Sequence, residues 1–138
     1  MRVSQKSEYA LRAMLELALR RDHGQSMRSG DIAKNQRIPE KFLELILVEL
    51  RRAGFVKSQR GPVGGHRLAR APQNISVGEI WRTIDGSTTE HGQSGLADPF
   101  RPVWQEVDKA ISGVVDHISL ADMCKRAEAR VGVPEYDI

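Results

Sequence analysis

The 138-residue sequence has few of the residues that build covalent or metal-held scaffolds. It holds one cysteine, Cys124, so no disulfide can form within a chain and no all-cysteine metal site is available. Its four histidines, His23, His66, His91 and His117, are scattered and make no recognisable metal spacing with that cysteine. No apolar run approaches the ~20 residues a membrane helix needs. The opening MRVSQKSEYALRAMLELALRR mixes apolar and charged residues and lacks the apolar stretch and cleavage site of a signal peptide, which points to a cytoplasmic protein with no membrane association. No nucleophile–base pair or paired carboxylates come forward, so the chain does not read as an enzyme. The exposed aromatic platforms that single-strand RNA readers use are also missing.

What is present suits a folded chain. Apolar residues are 40% and charged residues 28%, which argues against wholesale disorder. The net charge of +3 hides an asymmetry: residues 1–70 carry 15 Lys and Arg against 7 Asp and Glu, while residues 71–138 carry 6 against 11. A basic front half suggests that one end of the molecule faces a polyanion.

The hydrophobic pattern predicts mainly helices and one small β-hairpin. A first helix runs from about Ser4 to Arg20, with Tyr9, Ala10, Ala13, Met14, Leu17 and Ala18 on one stripe. Ser29 is placed as the N-cap of a short second helix. After the turn Gln36-Arg37-Ile38, Pro39 takes the first position of a third helix, which Gly54 ends. Two helices joined by so short a turn read as helix-turn-helix. On the third helix Phe42, Leu43, Ile46, Leu47, Leu50 and Ala53 gather as core, while Lys41, Glu44, Leu45, Val48 and Arg52 face outward. Two readings of the outward Leu45 and Val48 stay open: thymine methyl groups in a major groove, or a neighbouring helix.

Two short strands, Phe55–Gln59 and His66–Arg70, flank the turn Gly61-Pro62-Val63-Gly64-Gly65. A hairpin directly after a helix-turn-helix is a wing. Its glycines allow a sharp turn and close approach to a nucleic-acid backbone, with Arg60, Arg67 and His66 as phosphate or minor-groove contacts. A nucleotide-binding phosphate loop is the rival, and it fails because GPVGGH has neither the P-loop spacing nor a strand–helix setting.

A fourth helix opens with the capping box Ser76–Glu79, flanked by Ile75 and Ile80 as a hydrophobic staple. Residues 86–99 are small, polar and turn-forming. Phe100, Trp104, Val107, Ile111, Val114 and Ile118 then recur at coiled-coil spacing, and we read them as a long C-terminal dimerisation helix. Ser119 and Asp122 suggest a capped final helix with Met123 and Ala127 inward. The expected organisation is a winged helix-turn-helix domain at 1–85, a polar loop at 86–99, the dimerisation and final helices at 100–131, and a tail at 132–138.

This order resembles the IscR/NsrR/CymR family of bacterial winged-helix transcription regulators. Three segments carry the resemblance: MRVSQKSEYALRAMLELAL, IPEKFLELILVELRRAGFVKSQRGPVGGHRLAR and ISVGEIWRTIDG. It implies a homodimer that binds double-stranded DNA at an inverted repeat, with recognition helices in major grooves and wings along minor grooves. Carried over by position, Lys41, Glu44 and Arg52 are the recognition-helix contacts, and Arg60, Gly61, Gly64, Gly65 and Arg67 the wing contacts. Ser4 and Lys6 follow as phosphate contacts at a helix N-terminus.

The sequence departs from the family in one respect. Many members hold an iron–sulfur cluster on three cysteines in the loop that is 86–99 here, and this loop has none. The further family ligand position falls on Arg101, and Glu8 matches an acidic position some members use as a ligand. Without thiolates no cluster and no other cofactor is expected. The signal would then be a small molecule, a partner protein or a redox event at Cys124. His91 lies at the family's sensor position, and Trp81 and Trp104 read as structural or as lining a small-ligand pocket. The expected function is a sequence-specific regulator, a repressor by promoter occupancy. The alternative is a protein-interaction module acting through a partner enzyme or other protein.

Overall fold

The computed structural model describes residues 2–21, 26–62, 64–86 and 98–131. Most of the polar loop with His91, the whole tail, His23 and Val63 lie outside the described residues. The described elements are helices α1 (Gln5–Leu19), α2 (Ser29–Gln36) and α3 (Glu40–Arg52), strands β1 (Val56–Gln59) and β2 (Gly65–Leu68), a 3-10 turn (Pro72–Asn74), and helices α4 (Val77–Asp85), α5 (Arg101–Val115) and α6 (Leu120–Val131). This is the expected fold class, mainly helical with one antiparallel hairpin, in which Val56 pairs with Leu68 and Gln59 with Gly65.

Helix α1 is the centre of the fold. Its small residues Ala10 and Ala13 are fully buried beside Met14 and Leu17, and α2, α3, α4, α6 and β2 all pack on it. Small side chains on its stripe let neighbouring helices approach closely, while Ile32, Leu43, Ile46, Leu47, Leu50, Ile75, Ile80 and Leu120 fill the space between them. Ser4 caps α1 by accepting from the Ser7 amide.

Local signals hold at several places. At α4, Ser76 Oγ accepts from the Glu79 amide (3.1 Å) and Glu79 Oε2 from the Ser76 amide (2.9 Å). The predicted staple, Ile75 and Ile80, is fully buried. At α6, Ser119 and Asp122 repeat the same reciprocal pair at 3.0 and 2.9 Å. Gly54 follows α3 with φ +85°, the left-handed conformation a helix C-terminus favours.

Five local expectations are corrected. The Arg28 carbonyl already accepts from the Asp31 and Ile32 amides, so Arg28 rather than Ser29 is the N-cap, and no side chain caps α2. Pro39 has an extended ψ of 127° and its carbonyl accepts from Leu43, which makes it the N-cap of α3 instead of its first residue. Phe42 is 39% exposed because it sits at the flank of the buried stripe, edge-on to Tyr9 with ring centroids 5.6 Å apart. Ala53 lies past the last turn and is exposed. Helix α5 stops at Val115, so Ile118 leaves the expected seam and its carbonyl accepts from Val77.

That last bond belongs to a junction. Val77 N donates to Ile118 O (2.9 Å) and Leu120 N to Ile75 O (2.8 Å), pinning the start of α6 to the start of α4. Arg82 forms an ion pair with Asp116 at the C-cap of α5. Leu120 enters the main core, so α6 packs as part of the winged helix unit while α5 has no buried residue.

Candidate nucleic-acid interface

Helices α2 and α3 form the helix-turn-helix, and a buried carboxylate sets its turn. Glu16 of α1 is only 5% exposed and accepts from Asn35 Nδ2 and Gln36 Nε2, both at 2.8 Å, at the end of α2. Arg37 then takes a left-handed conformation (φ 53°) and Ile38 is buried, which redirects the chain into α3. Sequence reasoning missed Glu16. A glutamate on the inward side of an amphipathic helix was the available signal, since charges are rarely buried without partners.

With its core stripe occupied by Leu43, Ile46, Leu47 and Leu50, α3 presents Lys41, Leu45, Val48 and Arg52 outward, at spacings of four, three and four residues. Lys41 and Arg52 are exposed, and so are Glu44 and Arg51 on the flank. A groove of about 440 Å³ runs along the other flank, lined by Lys6, Phe42, Leu45, Val48, Glu49 and Arg52.

The wing stands on the Glu44–Arg51 side. Arg60 and Arg67 are exposed on it. Each glycine has a structural reason. Gly61 turns at φ +108°. A Cβ on Gly64 would come within 2.8 Å of the Gly61 carbonyl oxygen and closer still to that of Gln59. Gly65 has φ +151° and faces the backbone of Met27, which pairs with His66 through two bonds, Met27 N to His66 O (2.8 Å) and His66 N to Met27 O (2.6 Å). Met27 thus adds a third backbone segment to the hairpin. Arg28 Nη2 donates to the Pro62 carbonyl (2.8 Å) and ties the wing tip to the start of α2. Neither contact was foreseen, because each joins residues more than 30 positions apart.

His66, on strand β2 of the wing, lies within reach of the Arg51 and Glu44 charges of α3. Burial holds its pKa below the ordinary value, the Arg51 charge adds to this, and Glu44 partly opposes it. Its Nδ1 is buried with no hydrogen-bond partner among the described residues.

Ser4 and Lys6 are placed differently from the other expected contacts, since both already have partners within the chain. The Ser4 hydroxyl and amide donate to Asp85, and Lys6 Nζ lies 2.6 Å from Glu49. Asp85 also accepts from Trp81 Nε1 (3.0 Å), which fixes the buried Trp81 as a structural residue. The burial of Asp85 would raise its pKa, but the hydrogen bonds from Ser4 and Trp81 outweigh it and hold the carboxyl below its usual range.

Away from this face, α5 exposes Phe100 (61%), Val114 (58%), Trp104 and Val107, and also Val103, which the spacing argument passed over. A second cavity of about 450 Å³ lies where α4 meets the α5–α6 turn. It is lined by polar groups such as Glu79, Arg82, Asp116 and His117, and neither tryptophan borders it.

Among the described residues no helix is long and apolar enough to cross a membrane, and no group of three or more His, Cys, Asp or Glu could hold a metal ion. Cys124, the chain's one thiol, is half-buried on α6 against the core. That donor set does not fit a cluster held by several thiolates.

A protein-family model described as Rrf2, iron-dependent transcriptional regulator, matches residues 3–126. An rrf2-like HTH-type transcriptional regulator of Rhodobacter capsulatus is 48% identical over 136 residues, covering 88% of this chain and 91% of the relative. The IscR regulator of Aliivibrio salmonicida is 36% identical over 130 residues, covering 89% and 77%. Among solved structures, CymR, the global cysteine regulator of B. subtilis, superposes with a TM-score of 0.84 at 31% identity, covering 91% of this chain and 98% of that one. IscR of T. potens superposes with a TM-score of 0.80 at 37% identity, covering 99% and 94%.

Proposed function

The chain belongs to the Rrf2 family of DNA-binding transcriptional regulators, and from that premise we propose that it works as a homodimer. The dimer occupies an inverted repeat in promoter DNA and represses by excluding polymerase. Its signal is something other than an iron–sulfur cluster, because one half-buried thiol does not supply the ligands such a cluster takes.

One observation carries the reading: the same chain turns a cation-bearing helix and wing to one face and leaves the apolar side of α5 uncovered on another. A second copy on α5 would bury Phe100, Trp104, Val107, Ile111 and Val114 and relate two recognition helices by a two-fold axis, the symmetry an inverted repeat matches. Lys41 and Arg52 then reach phosphates or guanine, Glu44 accepts from a cytosine amino group, and Arg60 and Arg67 follow the minor groove. Ser4 and Lys6 join only by exchanging Asp85 and Glu49 for phosphate. A signal would act at the polar cavity of the α4–α5–α6 junction, or through a protein partner, to shift the two helices relative to each other.

The test is retention of sheared genomic DNA on the purified protein, followed by sequencing. A shared inverted repeat upstream of genes is the expected result. Arg60→Ala should then weaken binding and lower the slope of log affinity against log salt by about one per protomer. Retention without any shared sequence would remove the regulator reading, and an unchanged slope would remove the wing from it.

A further inference from the structure

Leu45 is 66% exposed, more than any other large apolar side chain among the described residues. It lies at the centre of the outermost line of α3, with Val48 beside it and Phe42 at the edge of the same groove. Lys41 and Arg52 stand at the two ends of the line, with Glu44 on one flank and the neutral Lys6–Glu49 ion pair across the groove on the other. Lys41 and Arg52 are eleven residues apart, which on a helix is roughly 16 Å along the axis, comparable to the ~12 Å opening of a major groove. A partner for this surface must therefore be anionic at the two ends of the line and apolar at its centre. A helix from another protein would meet the apolar centre but leave the terminal cations without counter-charges. Duplex DNA meets both needs, because phosphates border the major groove and the C5-methyl of thymine is the apolar group on its base edges.

We propose that Leu45, supported by Val48, is the thymine-reading residue of this protein: it packs on the C5-methyl group of one thymine in each half-site while Lys41 and Arg52 hold the flanking phosphates. The proposal rests on the reading that α3 enters the major groove. It makes the preferred site depend on a methyl group as well as on hydrogen bonds.

Deoxyuridine differs from thymidine by that methyl alone and keeps the same pairing edge, so it isolates the contact. Sites would be selected from a random duplex library, and the recovered duplex resynthesised with single thymines replaced by deoxyuridine. Burying one methyl group contributes about fourfold in affinity. The wild-type protein should lose about that factor per half-site at one symmetric thymine position and little elsewhere. Leu45→Ala should bind the thymine and uracil duplexes equally. Since Leu45 supports no core contact, the variant should melt as wild type does, and the wild-type comparison needs no variant at all. Equal binding of all wild-type duplexes would overturn the proposal, as would a uracil penalty that survives Leu45→Ala. Recovery of no shared site would overturn it together with the regulator reading; a shared site indifferent to uracil overturns it alone.

Discussion

Replacing Gly65 by alanine isolates the contact that sets the wing. Two costs can be worked from the geometry. The residue holds φ +151°, a region side-chain-bearing residues enter at about 1–3 kcal/mol. The new Cβ would stand 2.6 Å from the Met27 carbonyl carbon and closer to its oxygen, and backbone cannot swing aside as a side chain can. The Met27–His66 bridge must open, and its two hydrogen bonds are each worth about 1 kcal/mol net. With the strain taken at the low end of that range, the total is about 3 kcal/mol. If the loss stays local, the Met27 and His66 amides should exchange with solvent about 100-fold faster. If it spreads to the whole unit, the melting temperature should fall by about 10 °C. Gly61→Ala is the control: φ is +108° but nothing lies within 4 Å of a Cβ there, so it should cost only its backbone strain, about 1 kcal/mol. Amide exchange followed by NMR, with a thermal melt alongside, reads both variants. A Gly65→Ala protein with wild-type melting and unchanged protection at Met27 and His66 would refute the reasoning.

Three further outcomes follow from the same structure. Glu16→Ala should lower stability by about 2–3 kcal/mol and Glu16→Gln by roughly half that in urea unfolding, since a glutamine still accepts one of the two amide bonds at the end of α2; equal stability of all three proteins would remove Glu16 as the brace of the turn. His66 has a depressed pKa when folded, chiefly from burial, so its contribution is fully present above the ordinary value of 6.5 and is lost as pH falls below it, because the unfolded chain takes the proton first. The unfolding free energy of wild type should drop more than that of His66→Gln between pH 7.5 and 5.5, and parallel drops would contradict this. Val107→Glu places a charge in the middle of the exposed side of α5 and should halve the mass seen by light scattering while leaving the helical signal intact; a mass that does not change would move the dimer contact elsewhere.

Much of the local structure was legible because its causes lie within a few residues. The Ser76–Glu79 and Ser119–Asp122 boxes are each written into four positions, and both form. The hairpin follows from glycines between two short strands. Boundaries slipped where backbone geometry outweighed residue type, as at Arg28 and Pro39. The outward line of α3 was readable from helical periodicity, whereas Phe42 was misassigned because its burial depends on where Tyr9 of α1 stands.

By itself, the sequence determined the element order, the basic front half, the outward set Lys41, Leu45, Val48 and Arg52, and the shortage of thiolates, all properties of composition and short-range periodicity. Only the tertiary structure decided which charged groups remain available. Lys6 meets Glu49, Ser4 meets Asp85 and Arg28 meets Pro62 across separations of 34 to 81 positions. It also decided that α6 returns to the core while α5 stays uncovered. Such pairings depend on how helices pack around α1, and packing is a property of the whole chain that no local stretch encodes.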